Sequence, residues 1–233
     1  MDARAAAPEP PPTSLEEFRV AVAEDLRCLA ELHDREPTAE LLSELKAIGY
    51  PKSMGLCLTG EAGRQASAEM LAALSGIDPS KDEEVADVLA ADYADIYLTH
   101  GCRAAPTESV WLDEDNLERQ VPMFEVREWY LKHDLAAADW QRRPDDHIVP
   151  QLQFIAYLMQ YADGLAGLSE VADFMDHHLL KWIPDFSARV ASRCDTRYFA
   201  GLALLTSAYL DELRDLLAEI TDQARPEGLD GKE

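Results

Sequence analysis

The 233-residue sequence predicts an all-α fold, a single compact domain of about eight to ten helices. Three observations carry this. Apolar residues recur at three- and four-residue spacing in one segment after another. Helix-start signals of the form Ser-x-x-Glu precede two of those segments. No alternating apolar–polar run bounded by hairpin turns occurs, and no internal repeat marks a solenoid.

The elements follow in chain order. Residues 1–13 read as a disordered tail, because Pro8-Glu9-Pro10-Pro11-Pro12 cannot form helix and has little to bury. The helical domain spans 14–224. Ser14 and Glu17 form a capping box, and Leu15, Phe18, Val22, Leu26 and Leu29 recur behind it. A second helix follows Pro37 through Leu41, Leu42, Leu45 and Ile48 and ends at Gly49-Tyr50-Pro51. A third runs from Glu61 to Leu74 and stops at Gly76. Ser80 and Glu83 open a fourth, whose stripe is Val85, Val88, Leu89, Tyr93, Ile96 and Tyr97. Residues 100–121 are a long connection, the kind of ordered loop that often carries function. Helix resumes from Met123 to His133, and 134–146 form a second loop closed by Pro144-Asp145-Asp146. Pro150 is tolerable only in a first turn, which starts the next helix near Asp146 and carries it to Leu165. Another covers Ser169 to Leu180, Trp182-Ile183-Pro184 turns the chain, and a last helix runs from Thr196 to Ile220. Residues 225–233 read as a frayed tail.

Charge is the sharpest global feature. Lys plus Arg is 21 and Asp plus Glu is 45, a formal net charge of −24. Such a surface repels phosphate backbones and anionic membranes, so nucleic acid is not an expected partner, whereas a cationic partner is steered toward it. The same acidity also serves plain solubility. Cys28, Cys57, Cys102 and Cys194 are widely spaced with no CxxC pair, which fits reduced thiols rather than a disulfide framework or zinc ribbon. No stretch approaches the roughly 18 apolar residues of a membrane span, and the start Met1-Asp2-Ala3-Arg4 lacks the pattern of a signal peptide. A cytoplasmic protein with no stable membrane insertion is the expectation.

The sequence has no phosphate loop, dinucleotide fingerprint, nucleophile elbow or zinc-protease motif, and no cofactor is implied. Asp113-Glu114-Asp115-Asn116 lacks the glycine and terminal glutamate of a calcium loop and reads as an acidic helix start. His177 and His178 point about 100° apart on a helix, which leaves Asp173 with His177 as a two-ligand, weak metal candidate. Asp146-His147 admits two readings. A carboxylate beside an imidazole at a helix start can tune the ring for catalysis or binding; equally, Asp146 can be a helix N-cap and His147 a packed first-turn residue.

At these residues the sequence resembles the TorD/DmsD/NarJ family, chaperones that mature molybdenum enzymes. Five stretches carry the resemblance in the family's order: Asp92-Tyr93-Ala94-Asp95-Ile96-Tyr97-Leu98 with Gly101 and Pro106; Glu108-Ser109-Val110-Trp111-Leu112-Asp113; Val126-Arg127-Glu128-Trp129-Tyr130; Pro144-Asp145-Asp146-His147-Ile148; and His178-Leu179-Leu180-Lys181-Trp182 with Phe186. It covers roughly residues 85–222, and His133-Asp134-Leu135 stands where the family has a glycine-containing turn. The resemblance implies a TorD/DmsD-like helical fold, no enzymatic activity, and two partners: the twin-arginine signal peptide and the apo-form of a molybdopterin enzyme. It implies a monomer or a domain-swapped dimer. It assigns Tyr93, Ile96, Tyr97, Ser109, Trp111, Asp146 and His147 to the signal-peptide site, where an apolar groove with an acidic rim suits a basic, apolar ligand. Two other readings stay open: a NarJ-like chaperone for a client that is not exported, and a weak nucleotide hydrolase using Asp146-His147.

Overall fold

A computed structural model describes residues 14–77 and 82–226. The tail 1–13, the Ser80 helix start and residues 227–233 lie outside them. Among the described residues there are ten α-helices: α1 (Ser14–Asp34), α2 (Ala39–Ala47), α3 (Glu61–Gly76), α4 (Asp82–Tyr93), α5 (Ser109–Leu112), α6 (Val121–Lys132), α7 (Ile148–Tyr161), α8 (Gly164–His177), α9 (Leu179–Arg193) and α10 (Arg197–Thr221). They contain no named strand. A π-helical segment, Ala94–Leu98, prolongs α4. The all-α expectation holds.

The 25-residue α10 is the axis of the bundle, packed by α3, α8 and α9, while α1 lies along α7. Its apolar residues Leu202, Leu205, Tyr209, Leu213 and Leu217 are fully buried, as are Val22, Leu26 and Leu29 of α1 and Leu152, Ile155 and Met159 of α7. Burial of such faces, not local propensity, supplies most helical stability. A buried ion pair sits in this core. Arg214 of α10 is completely buried and forks onto both carboxylate oxygens of Asp176, at 2.9 and 2.8 Å, and donates to the carbonyls of Gln223 and Ala224. Arg225 beyond it pairs with Asp211 and Asp215.

Several boundaries differ from expectation for identifiable reasons. The helix expected to reach Leu165 ends at Tyr161, where Ala162-Asp163-Gly164 turns the chain with Gly164 at φ +59° and α8 begins. The expected turn at Pro184 is absent: Pro184 lies inside α9, and the break falls earlier, at His178. Proline there removes one α-helical hydrogen bond, and the burial of Trp182, Ile183 and Phe186 offsets it. Asp113-Glu114-Asp115-Asn116 is not a helix start but the turn that follows α5. After α6, Asp134 takes φ +55° while the amides of His133 and Leu135 bond to the Tyr130 carbonyl, so an aspartate holds the left-handed position glycine would normally fill.

Candidate functional site

The two long connections meet. Ile148 N–H donates to the Pro106 carbonyl at 2.8 Å, Glu108 N–H to the Asp146 carbonyl at 3.1 Å, and Thr107 and His147 form an isolated antiparallel bridge. Residues 106–108 and 146–148 thus run side by side at the head of α7, which positions everything around them.

Asp146 clamps this junction from within. It is 0 % exposed, and its Oδ2 accepts from Ser109 N–H at 2.7 Å and Ser109 Oγ–H at 2.5 Å. Ser109 Oγ accepts in turn from Gln120 N–H, which brings in the chain entering α6. Burial pushes the Asp146 carboxyl above its ordinary range, and the two bonds from Ser109 oppose that. A second buried carboxylate lies alongside. Glu108 accepts from Gln151 Nε2–H at 2.9 Å and pairs with His178 Nδ1 at 2.9 Å, while Gln151 Nε2–H also donates to the Asp146 carbonyl. Burial raises the Glu108 carboxyl as well, against the pull of His178. On the other flank Arg127 of α6 pairs with Asp145, and Tyr130 Oη–H donates to the Asp145 carbonyl. All five motif stretches therefore converge on one hydrogen-bonded knot, the first of them through the Pro106 carbonyl. Gly101, in the same stretch as Pro106, packs against Asp95: a Cβ there would sit 2.6 Å from the carboxylate, which would have to shift.

His147 caps α7. Its backbone is extended and its Nδ1 accepts from Val149 N–H at 3.1 Å, so the ring is neutral with its proton on Nε2. Burial, then Arg143, His33 and His100, drive its pKa well below the usual histidine value. The N-cap is thus His147, one residue later than Asp146, and the carboxylate–imidazole couple weighed from sequence does not form. His147→Ala is expected to lower unfolding free energy by about 1 kcal/mol, with His147→Asn restoring most of it, checked by thermal melting of both.

His147 also lines a cleft of about 370 Å³ with Tyr93, Tyr97, Leu98, His100, Pro106, Glu118, Asp139, Arg142, Arg143 and Pro144. The π-helical segment shapes one wall, with the Tyr93 and Tyr97 rings 4.9 Å apart. Each tyrosine is tethered: Tyr93 Oη–H donates to the Asp34 carbonyl, and Tyr97 Oη–H donates to His33 Nδ1 at 2.5 Å. His33 Nε2–H donates to Thr206 Oγ, whose own proton goes to the Leu202 carbonyl, so each polar proton has one destination. One lining side chain, Leu98, is apolar and 64 % exposed, and the exposed Leu117 and Trp140 are the chain neighbours of lining residues Glu118 and Asp139. Arg119 donates to the Gln141 carbonyl and ties those two loops together. The rim charge is mixed: Glu118 and Asp139 face Arg142 and Arg143, the last paired with Asp34.

Of the seven residues named from sequence, the structure brings Tyr93, Tyr97 and His147 to the cleft. Ile96 is fully buried behind them, and Ser109 and Asp146 lie in the knot beneath. Trp111 stands apart, its indole N–H on the Ala105 carbonyl and Arg189 over its ring at 4.3 Å. Glu108, Gln151, His178, Arg127 and His33 were missed as site-forming residues; Glu108, Arg127 and His178 lay within quoted motifs, whereas Gln151 and His33 sit on ordinary helical stretches. His177 Nδ1–H bonds to the Asp173 carbonyl oxygen, and among the described residues no group of three or more His, Cys, Asp or Glu could hold a metal ion.

The sequence pattern of the nitrate reductase delta subunit family matches residues 60–188. A Chaperone protein TorD of Psychrobacter sp. strain PRwf-1 is 29 % identical over 203 residues, 84 % of this chain and 91 % of that protein. One from Vibrio cholerae serotype O1 is 27 % identical over 176 residues, 71 % and 80 % of the two chains, and one from Vibrio vulnificus is 25 % identical over 191, 78 % and 87 %. All three are named as chaperones, not as enzymes.

Proposed function

The chain belongs to the TorD/NarJ family of redox-enzyme maturation chaperones, and from that premise we propose that it is a cytoplasmic chaperone that holds the twin-arginine signal peptide of a molybdopterin enzyme in the cleft beside His147 until the apo-enzyme has received its cofactor. The observation that carries this reading is a tyrosine-walled cleft with exposed Leu98 in its lining, and with exposed Leu117 and Trp140 next in the chain to the lining residues Glu118 and Asp139. Exposed apolar groups clustered at a concave opening mark a binding surface, and the apolar segment of a signal peptide is a matching ligand. In this reading Tyr93, Tyr97 and His147 touch the peptide. Ile96, Ser109 and Asp146 hold the walls, while Trp111 stands outside the cleft. The overall charge of −24 draws the basic ligand in, while the mixed local rim leaves affinity to apolar contact.

The test is calorimetric titration of a molybdoenzyme signal peptide into the full chain and into Leu98→Glu and Trp140→Ala. Both side chains are more than half exposed, so the fold should tolerate the changes. Each is expected to weaken binding about tenfold, or about 1.4 kcal/mol, the scale of losing one buried apolar side chain. Unchanged affinity in both, with unchanged melting temperature, would place the peptide elsewhere. Among the described residues no helix is long and apolar enough to cross a membrane.

A further inference from the structure

A second cleft, of about 580 Å³, opens between α6, α7 and α8, at the opposite end of α7 from His147. Its walls are aromatic: Trp129 of α6, His133 just past its end, and Tyr157 and Tyr161 of α7. The Tyr157 and Tyr161 rings are 4.8 Å apart, and His133 meets Tyr157 edge-on at 6.0 Å. Its rim carries three carboxylates, Asp163, Glu170 and Asp173, against Lys132 and His133. The sharp turn at Gly164, with Gly167 packed so closely that a Cβ would lie 2.7 Å from the Ala162 backbone, brings Asp163 to that rim.

The aromatic wall already holds a cation. Lys132 Nζ lies over the Trp129 ring, 4.4 Å from its centroid, and His133 Nε2 is 3.0 Å from Glu170. The chain's own side chains thus occupy the two kinds of contact, π-face and carboxylate, that a cationic ligand would use. We propose that this cleft is a subsite for an arginine side chain of a basic peptide segment, separate from the cleft at His147. A guanidinium suits it better than an ammonium, because its plane stacks on an aromatic ring while its fork donates to a carboxylate. Lys132 is displaced into solvent, a small change for an exposed, flexible side chain on a single ring contact. Asp163 is exposed and Glu170 half-exposed, whereas Asp173 already accepts from Gln223, so the first two carry the recognition.

The test uses acetyl-diarginine-amide as probe on the full chain, followed through the Trp129 indole N–H resonance, assigned with Trp129→Phe. Saturable binding is expected, weakening as salt rises. Asp163→Asn with Glu170→Gln should weaken it about fivefold, and Tyr161→Ala by a similar factor. The dilysine probe should bind more weakly and the dicitrulline probe not at all. Leu98→Glu should leave the diarginine affinity unchanged, which separates this site from the cleft at His147: loss of signal-peptide binding there would not touch it. The proposal is overturned if the double carboxamide variant binds the probe as tightly as the parent, if the Trp129 resonance does not move, or if spermidine competes as well as the peptide, which would make the site one for free polyamines.

Discussion

Asp146→Ala is expected to lower the unfolding free energy by about 2–5 kcal/mol, far more than loss of a helix cap. The carboxylate receives two hydrogen bonds from Ser109 in a fully buried setting. Removing it leaves the Ser109 amide and hydroxyl without an acceptor, at about 1–3 kcal/mol for each orphaned buried donor. The same bonds tie the connection after the π segment to the head of α7, so the loss falls on the junction that shapes the cleft. Asp146→Asn should cost much less, because its side-chain carbonyl can stand in for Oδ2. Urea unfolding of the parent and both variants decides it. A cost in the alanine variant of no more than about 1 kcal/mol, the scale of a cap, would mean that Asp146 is not the clamp described above. Signal-peptide titration of the folded asparagine variant supplies the functional half: near-parental affinity is expected, since the carboxylate lies beneath the cleft rather than in it.

That distinction shows what the sequence could and could not reveal. Helical periodicity located α2, α3 and α10 within two or three residues and the capping box placed the start of α1 at Ser14, because each buries one continuous apolar stripe on a neighbour. It failed at Pro184 and at Leu165 for opposite reasons. Proline is a strong local breaker that tertiary burial of Trp182 and Phe186 overrode, whereas the apolar pattern runs past Ala162 although the backbone turns there. The π-helical segment has no sequence signature in spacing alone, yet it shapes the Tyr93–Tyr97 wall. Motif resemblance found the right neighbourhood. It could not separate residues that touch the cleft from residues that hold it, because Asp146 and His147 are adjacent in sequence but face different partners: Ser109 in one case, the amide of Val149 in the other. Gln151 and His33 escaped altogether, since a polar residue within an apolar helix reveals its role only when its distant partners, Glu108 or Tyr97 and Thr206, are placed beside it.

The His33 relay leads to the other large effect. Stability is expected to fall steeply as pH drops below about 6.5, by about 1.4 kcal/mol per pH unit for each histidine that must stay neutral in the fold. Burial lowers the His33 pKa from 6.5 to about 3, and burial first, then neighbouring cations, lowers that of His147 well below 6.5. The sign follows from proton counting. Below pH 6.5 the unfolded chain takes up protons that the folded rings refuse, so the unfolded state is favoured. The stabilisation is fully present above about 6.5 and is lost as pH falls toward about 3 at His33. The raised carboxyls of Glu108, Asp146 and Asp25 act in the opposite sense: the fold binds their protons more readily, so part of the loss is regained as pH enters the range between their ordinary and raised values. The carboxyls therefore reduce, at lower pH, the slope that the histidines set. His33→Gln isolates one contribution. Glutamine can donate to Thr206 and accept from Tyr97 but does not titrate, so whatever its cost at neutral pH, the slope between about pH 6 and 5 should be smaller by about 1.4 kcal/mol per unit. Urea midpoints of the two proteins across that window read the difference directly, and parallel pH profiles would show that His33 is protonated in the fold and that the relay through Tyr97 and Thr206 is wrongly drawn.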